Sequence, residues 1–253
     1  MHKIFAKTLF LGKKVVYLPE CHSTNEIAAE MACDSQISEG LLVITDKQTE
    51  GKGQRGNSWL VQPGKNLTFT LVLKPAFLKI TDQFQMTIVV SMALRQVLSK
   101  YVTRSVVEIK WPNDLYINDK KVAGILIENN LKSNKIDNML VGIGLNVNQV
   151  DFGKLNATSV LKESGELVSL EVLLEDILLS IEQYYIKLRN GKIHELRNDY
   201  LRHLRWMDEW HRYSSGEEEF NGRIIGVDQL GRLVVQTSDR QRAFDIKDIS
   251  FLK

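Results

Sequence analysis

The chain has 253 residues, with 33 Lys+Arg against 31 Asp+Glu for a formal net charge of +2. This length suggests one large domain or a large and a small one, and 43% apolar with 25% charged residues excludes disorder, collagen-like repeats and a disulfide scaffold. The balanced charge also argues against a whole-molecule nucleic-acid binder.

Only Cys21 and Cys33 occur, with no C-x-x-C pair and no Cys/His cluster at zinc spacing. A structural metal is therefore not expected. The N-terminal residues 1–12 lack the long apolar stretch of a signal peptide, and no apolar run is long enough to span a membrane. The expectation is a reduced, cytoplasmic protein with no membrane partner.

In chain order, 15–18 and 41–45 are compact apolar runs that predict strands. Between them, Ser23-Thr24-Asn25-Glu26 has the form of a capping box, with Ser23 as N-cap of a helix running to about residue 31. Residues 66–73 alternate, with Leu67, Phe69, Leu71 and Leu73 on one face, which predicts a half-buried strand. A broad apolar stripe predicts a helix over 82–101. Strands are predicted at 105–111, 115–117, 121–127 and 139–145, with a hairpin at Asn118-Asp119 because both residues tolerate the left-handed turn backbone.

Strands joined by such short links must be antiparallel. The expected fold class is α+β, with a mixed, mainly antiparallel sheet and packed helices. Helical spacing covers 170–188 and, after a break at Asn190-Gly191, 193–206. From Tyr213 the character changes to short strands at 219–226, 233–237 and 240–246, with turns at 228–231 and 238–239. The expected division is 1–212 and 213–253, the second part a small β-barrel with too little core to stand alone.

Three segments concentrate unusual residues. Gln48 is followed by Gly51-Lys52-Gly53-Gln54-Arg55-Gly56 and then Trp59. Glycines interleaved with cations suit either a solvated loop or a cover whose N–H groups close over an anion. The P-loop order is absent. Next, Lys110-Trp111-Pro112-Asn113-Asp114 leads through the hairpin to Lys121 and Gly124. Lys110 either snorkels to solvent or presents a fixed charge to a site. Third, Gly142-Ile143-Gly144-Leu145-Asn146 alternates glycine within an apolar strand. That costs stability unless something approaches the backbone closely, so it reads as a wall for a flat ligand or as a bulge.

In this order the segments resemble the biotin protein ligases. The family's pattern is Ser-Thr-Asn, a Gly-Arg-Gly-Arg-Arg-Gly loop ending in Trp, Lys-Trp-Pro-Asn-Asp, Lys-x-x-Gly-Ile-Leu and Gly-x-Gly-x-Asn. The chain has Ser23-Thr24-Asn25, the loop from Gly51 to Trp59, Lys110 to Asp114, Lys121 to Leu126 and Gly142 to Asn146. The likeness covers the whole chain and is that of a short form without an N-terminal helix-turn-helix domain, because the first motif begins at residue 23.

The resemblance implies a biotin/lipoate ligase-like catalytic domain that joins biotin to ATP as biotinyl-5′-adenylate. It then transfers biotin to one lysine of a biotin carboxyl carrier protein or domain of acetyl-CoA carboxylase or a related carboxylase. It implies Lys110 at the α-phosphate, and Asp114 either acting on the acceptor lysine or merely pairing with Lys110 or a turn N–H. Ser23, Thr24, Asn25, Gln48, Gly51, Lys52, Gly124, Leu126, Gly142 and Gly144 would bind biotin. Lys52, Gly53, Gln54, Arg55, Trp59, Lys110, Asn113, Lys121 and Asn146 would bind ATP or the adenylate, with Trp59 stacked on adenine and Asn146 at the phosphates. Mg²⁺ is implied by triphosphate chemistry rather than by a visible ligand cluster.

One departure stands out: the family's second arginine is Gln54, with Arg55 adjacent. No nucleic-acid partner is expected, and an exposed sheet edge is expected to pair two subunits or to meet the carrier. The alternatives are a lipoate–protein ligase or lipoyl transferase, and a non-catalytic biotin-binding regulator.

Overall fold

Alternating side chains along the strands give one central sheet two different faces. The computed structural model describes residues 7–33, 37–54, 59 and 61–252. Its elements are β1 (Val15–Cys21), α1 (Thr24–Ala32), β2 (Leu41–Gln48), β3 (Leu67–Leu73), a 3-10 turn (Ile80–Asp82), α2 (Phe84–Tyr101), β4 (Val107–Lys110), β5 (Asp114–Ile117), β6 (Lys120–Lys132), β7 (Lys135–Leu145), α3 (Val160–Ser164), α4 (Leu170–Arg189) and α5 (Ile193–Arg202). Then come β8 (Trp210–Ser215), β9 (Glu218–Val227), β10 (Leu233–Gln236), β11 (Gln241–Phe244) and β12 (Ser250–Phe251).

The larger sheet has seven strands in the order β1-β2-β3-β7-β6-β5-β4. Only β1 and β2 pair in parallel, across the α1 connection, and every other neighbour is antiparallel. The mixed, mainly antiparallel sheet is the one expected. On one face Leu42, Ile44, Phe69, Leu71, Val141 and Ile143 share a core with α2 and α4. On the other, Leu41, Val43, Val72 and Leu140 pack under Ala28 and Ala32 of α1. This second face continues past α1 as an open cleft.

The two-residue turn at Asn118-Asp119 forms as predicted, with φ of 48° and 67° that match a type I′ hairpin. Four local expectations change. β3 is buried along its whole length, not half-buried, because α1 and the cleft cover its second face. Ser23 occupies the N-cap position but makes no side-chain capping bond. Instead Gln48 Oε1 accepts from Thr24 N at 2.8 Å, and Glu26 turns to Lys52 and His22. The last helix stops at Arg202, not 206. Residues 203–205 cover the free edge of β4 instead, with Ile109 N donating to His203 O and Arg205 N donating to Ile109 O. α3 was not expected.

The C-terminal residues form a five-stranded antiparallel sheet, order β11-β10-β9-β8-β12. It is fastened to the main sheet through the Trp111 indole, whose Nε1 donates to Gly231 O at 2.9 Å. No helix among the described residues is long and apolar enough to cross a membrane.

Candidate active site

Strand register builds the floor of the cleft. Thr45, Thr68, Gly144, Gly124, Asp114 and Lys110 pair in succession across β2, β3, β7, β6, β5 and β4. Cross-strand partners share a face, so these residues form one row. A second row runs Val43, Thr70, Gly142 and Leu126. The cleft above them holds about 480 Å³, counting space open to solvent.

The glycines are there for close approach. A Cβ on Gly142 would overlap Asn25 Oδ1, and one on Gly144 would overlap the Trp59 indole. Gly124 is less crowded, with Lys121 Nζ 3.3 Å from the Cβ position. The pairing is regular at all three, so these glycines do not mark a bulge.

At one end the polar groups at the start of α1 are tied together. Thr24 Oγ1 lies 3.1 Å from Gln48 Oε1 and 2.9 Å from Thr70 Oγ1. Thr70 donates to Asn25 Oδ1 at 2.6 Å, and Asn25 Nδ2 donates to Glu128 Oε2 at 2.7 Å. Ser23, Thr24 and Asn25 are all buried and line the cleft with Gln48. Asn25 is thus held by β3 and β6 at once.

At the other end Lys121 and Asp114 form an ion pair at 2.7 Å. The sequence offered Lys110 or a turn N–H as a partner of Asp114, and Lys121 pairs with it. Lys121 Nζ also stands 5.7 Å from the Trp59 ring centre. Trp59 N donates to Gly51 O at 2.8 Å, closing the glycine-rich loop at its base. The indole Nε1 is buried without a partner among the described residues. Lys52, Gly53 and Gln54 line the cleft, and Lys52 is held by Glu26 of α1. That ammonium keeps the Glu26 carboxyl below the usual carboxylate range. Arg55 lies outside the described residues.

Lys110 lines a neighbouring cavity, of about 920 Å³ counting space open to solvent, rather than the cleft itself. Its Nζ stands 5.2 Å from the Tyr116 ring centre and 5.0 Å from that of Phe251. Lys121, Trp59, Gly53, Gln54 and Asn113 line both spaces, so they are continuous. Burial, and then the Asp114 carboxylate, push the Tyr116 phenol up to about 12. Asn113 is buried, and its Nδ2 donates to Ile125 O, fixing the turn after Pro112.

Asn146 sits elsewhere. Its Nδ2 donates to Thr158 O at 3.0 Å, and it lines none of these cavities. It anchors the segment after β7. Sequence reasoning missed Thr68, Thr70 and Glu128. The signal for the first two was present: they are the polar alternates to the apolar face of 66–73. Among the described residues no group of three or more His, Cys, Asp or Glu could hold a metal ion.

Residues 17–146 match the model of the biotin/lipoate A/B protein ligase family. The chain is 31% identical to the bifunctional ligase/repressor BirA of Bacillus spizizenii, over 92% of this chain and 72% of that one. It is 28% identical to the biotin–[acetyl-CoA-carboxylase] ligase of Paracoccus denitrificans, over 92% and 99%. Its fold is similar to that of the biotin protein ligase of Aquifex aeolicus in complex with biotin and ATP, with a TM-score of 0.78, 26% identity and coverage of 95% and 99%.

Proposed function

The chain belongs to the biotin/lipoate A/B protein ligase family, and from that premise we infer how its own residues carry out the biotin branch of the chemistry. It is an ATP-dependent biotin protein ligase. Biotin and ATP give biotinyl-5′-adenylate and pyrophosphate, and biotin then passes to a lysine of a carboxylase's biotin carrier. Relatives on the biotin side leave the lipoate alternative without support.

The observation that carries the residue assignment is the glycine-floored cleft, with amides and hydroxyls at one end and the Lys121–Asp114 pair at the other. Biotin's bicyclic ring lies against Gly142 and Leu126, with Ser23, Thr24, Asn25 and Gln48 around the ureido group. Gln48 Oε1 is already taken by Thr24, which leaves its Nε2 to donate. The biotin chain then runs past the Trp59 indole that covers Gly144 and over Gly124 toward Lys121.

The first step needs no base, since a carboxylate is already ionised at neutral pH. Its oxygen attacks the α-phosphorus, the bond to pyrophosphate breaks, and negative charge must be held in line. Lys121 at the cleft end and Lys110 in the adjoining cavity supply that charge from two sides. Trp59 offers its ring face to adenine, while Lys52, Gly53, Gln54 and Arg55 form the cover.

In the second step the acceptor ammonium loses a proton and the amine attacks the adenylate carbonyl. The carbonyl–phosphate bond then breaks, AMP leaves and a second proton is released. Asp114 acts chiefly by holding Lys121 in place. Mg²⁺ would arrive with the triphosphate, held mainly by phosphate oxygens and water, and no step here runs through it.

The +2 net charge supports a ligase without a nucleic-acid partner, and β1, at one end of the seven-stranded sheet, offers an edge for pairing two copies. The catalytic part and the C-terminal part divide at 212/213, within β8. ATP–pyrophosphate exchange that requires biotin and is not supported by lipoate is the expected result. Exchange without biotin, or with lipoate alone, would overturn the reading.

A further inference from the structure

A second groove opens off the cleft, of about 700 Å³ counting space open to solvent. Its lining includes Phe84 and Thr87 of α2, Ile127 of β6, Leu230 and Ile246 from the C-terminal part, and the exposed Asp245. Gln54, Asn113 and Ile125 line both this groove and the cleft, so the two meet beside the reacting end.

The groove and the Lys110 cavity differ in charge. Lys110 and Lys121 line the cavity, with Asp114 already paired to Lys121. Among the described residues no Lys, Arg or His lines the groove, and its one ionisable group is the Asp245 carboxylate. Three solutes use the site: an anionic nucleotide, an anionic leaving group and a cationic acceptor lysine. A lysine entering past Lys110 and the Lys121–Asp114 pair would compete with the phosphates for the same groups and the same space.

We propose that the groove between α2 and the C-terminal sheet admits the carrier's acceptor lysine, leaving the Lys110 cavity to the phosphates. Phe84, Ile127 and Ile246 suit the lysine's aliphatic stem. Asp245 meets its ammonium at the entrance, and the amides of Gln54 and Asn113 receive it where the groove joins the cleft. The acceptor lysine and the phosphates therefore reach the adenylate carbonyl through different openings. The proposal rests on the ligase reading above and goes beyond it in assigning each route.

The test uses the full chain with Asp245→Lys and, separately, Thr87→Trp, which reverses the mouth charge and fills the groove. Biotin-dependent exchange and discharge of bound adenylate by hydroxylamine should stay within about twofold of the parent. Transfer to the carrier domain should show a roughly tenfold higher KM for Asp245→Lys, shrinking as salt is raised, and a similarly lower kcat for Thr87→Trp. Asp245 is on the surface, so that variant folds and decides the matter alone. Unchanged carrier transfer would overturn the proposal, as would loss of exchange in the folded variants, which would put the groove on the nucleotide side. Absence of biotin-dependent exchange in the parent would instead overturn the ligase reading itself.

Discussion

Gly144 leaves room for the Trp59 indole, and an alanine there is the smallest change that tests the floor of the cleft. The added methyl overlaps a ring held at its base by the Gly51 bond. Overpacking of this kind costs about 1–3 kcal/mol, so Gly144→Ala should raise KM for ATP roughly tenfold, measured in the exchange assay. The two lysines are separable. Lys110→Ala and Lys121→Ala should each slow adenylate formation by roughly a hundredfold or more. Asp114→Asn should slow the same step by releasing Lys121. Slow transfer with normal adenylate formation in Asp114→Asn would instead make Asp114 the proton acceptor. Gln54 hydrogen-bonds without charge and Lys52 lacks the bidentate fork of arginine, so adenylate should leave this enzyme faster than its Gln54→Arg variant. Equal release rates would remove that role.

At the scale of elements, helix ends are settled by partners that local sequence does not contain. Ser23 has the right residue type for an N-cap, yet α1 is capped by Gln48 from β2, because Thr24 N points at that side chain. α5 ends early because the β4 edge needs donors and acceptors, and residues 203–205 provide them. His203 lies at this junction, where burial and then the Arg95 charge lower its pKa from 6.5. The folded state thus takes up the proton less readily than the unfolded chain. The associated stability is present above the unfolded pKa and is lost as pH falls from about 6.5 toward the lowered folded value. Unfolding titrations should show stability rising with pH across that window, and His203→Gln should flatten the slope.

Over the whole molecule, the C-terminal part closes one side of the Lys110 cavity with Ile249, Ser250 and Phe251. Trp111 Nε1 reaches Gly231 in the turn built on Asp228, whose Oδ1 accepts from Leu230 N and Arg232 N. Trp111→Phe keeps most of the ring volume and removes that buried bond, at a cost of about 1–2 kcal/mol. Thermal unfolding should fall by a few degrees and adenylate formation should slow, since Lys110 and Asn113 flank the indole. The order of motifs, the hairpin at Asn118-Asp119, the mainly antiparallel sheet and the long helices were legible from residue type and period, because turn chemistry and amphipathic spacing act over a few residues. The need for glycine at 142 and 144 was legible too, as alternation within an apolar strand. The sequence did not reveal which lysine faces Asp114, that Asn146 serves Thr158, or that Glu182 binds the backbone N–H groups of Leu9, Phe10 and Leu11 from 171 to 173 residues away. By itself, then, the sequence determined the family's chemistry and the local elements that carry it. Only the tertiary structure decided which charge meets which, because strand register and the docking of the second sheet place side chains by contacts that no local period encodes.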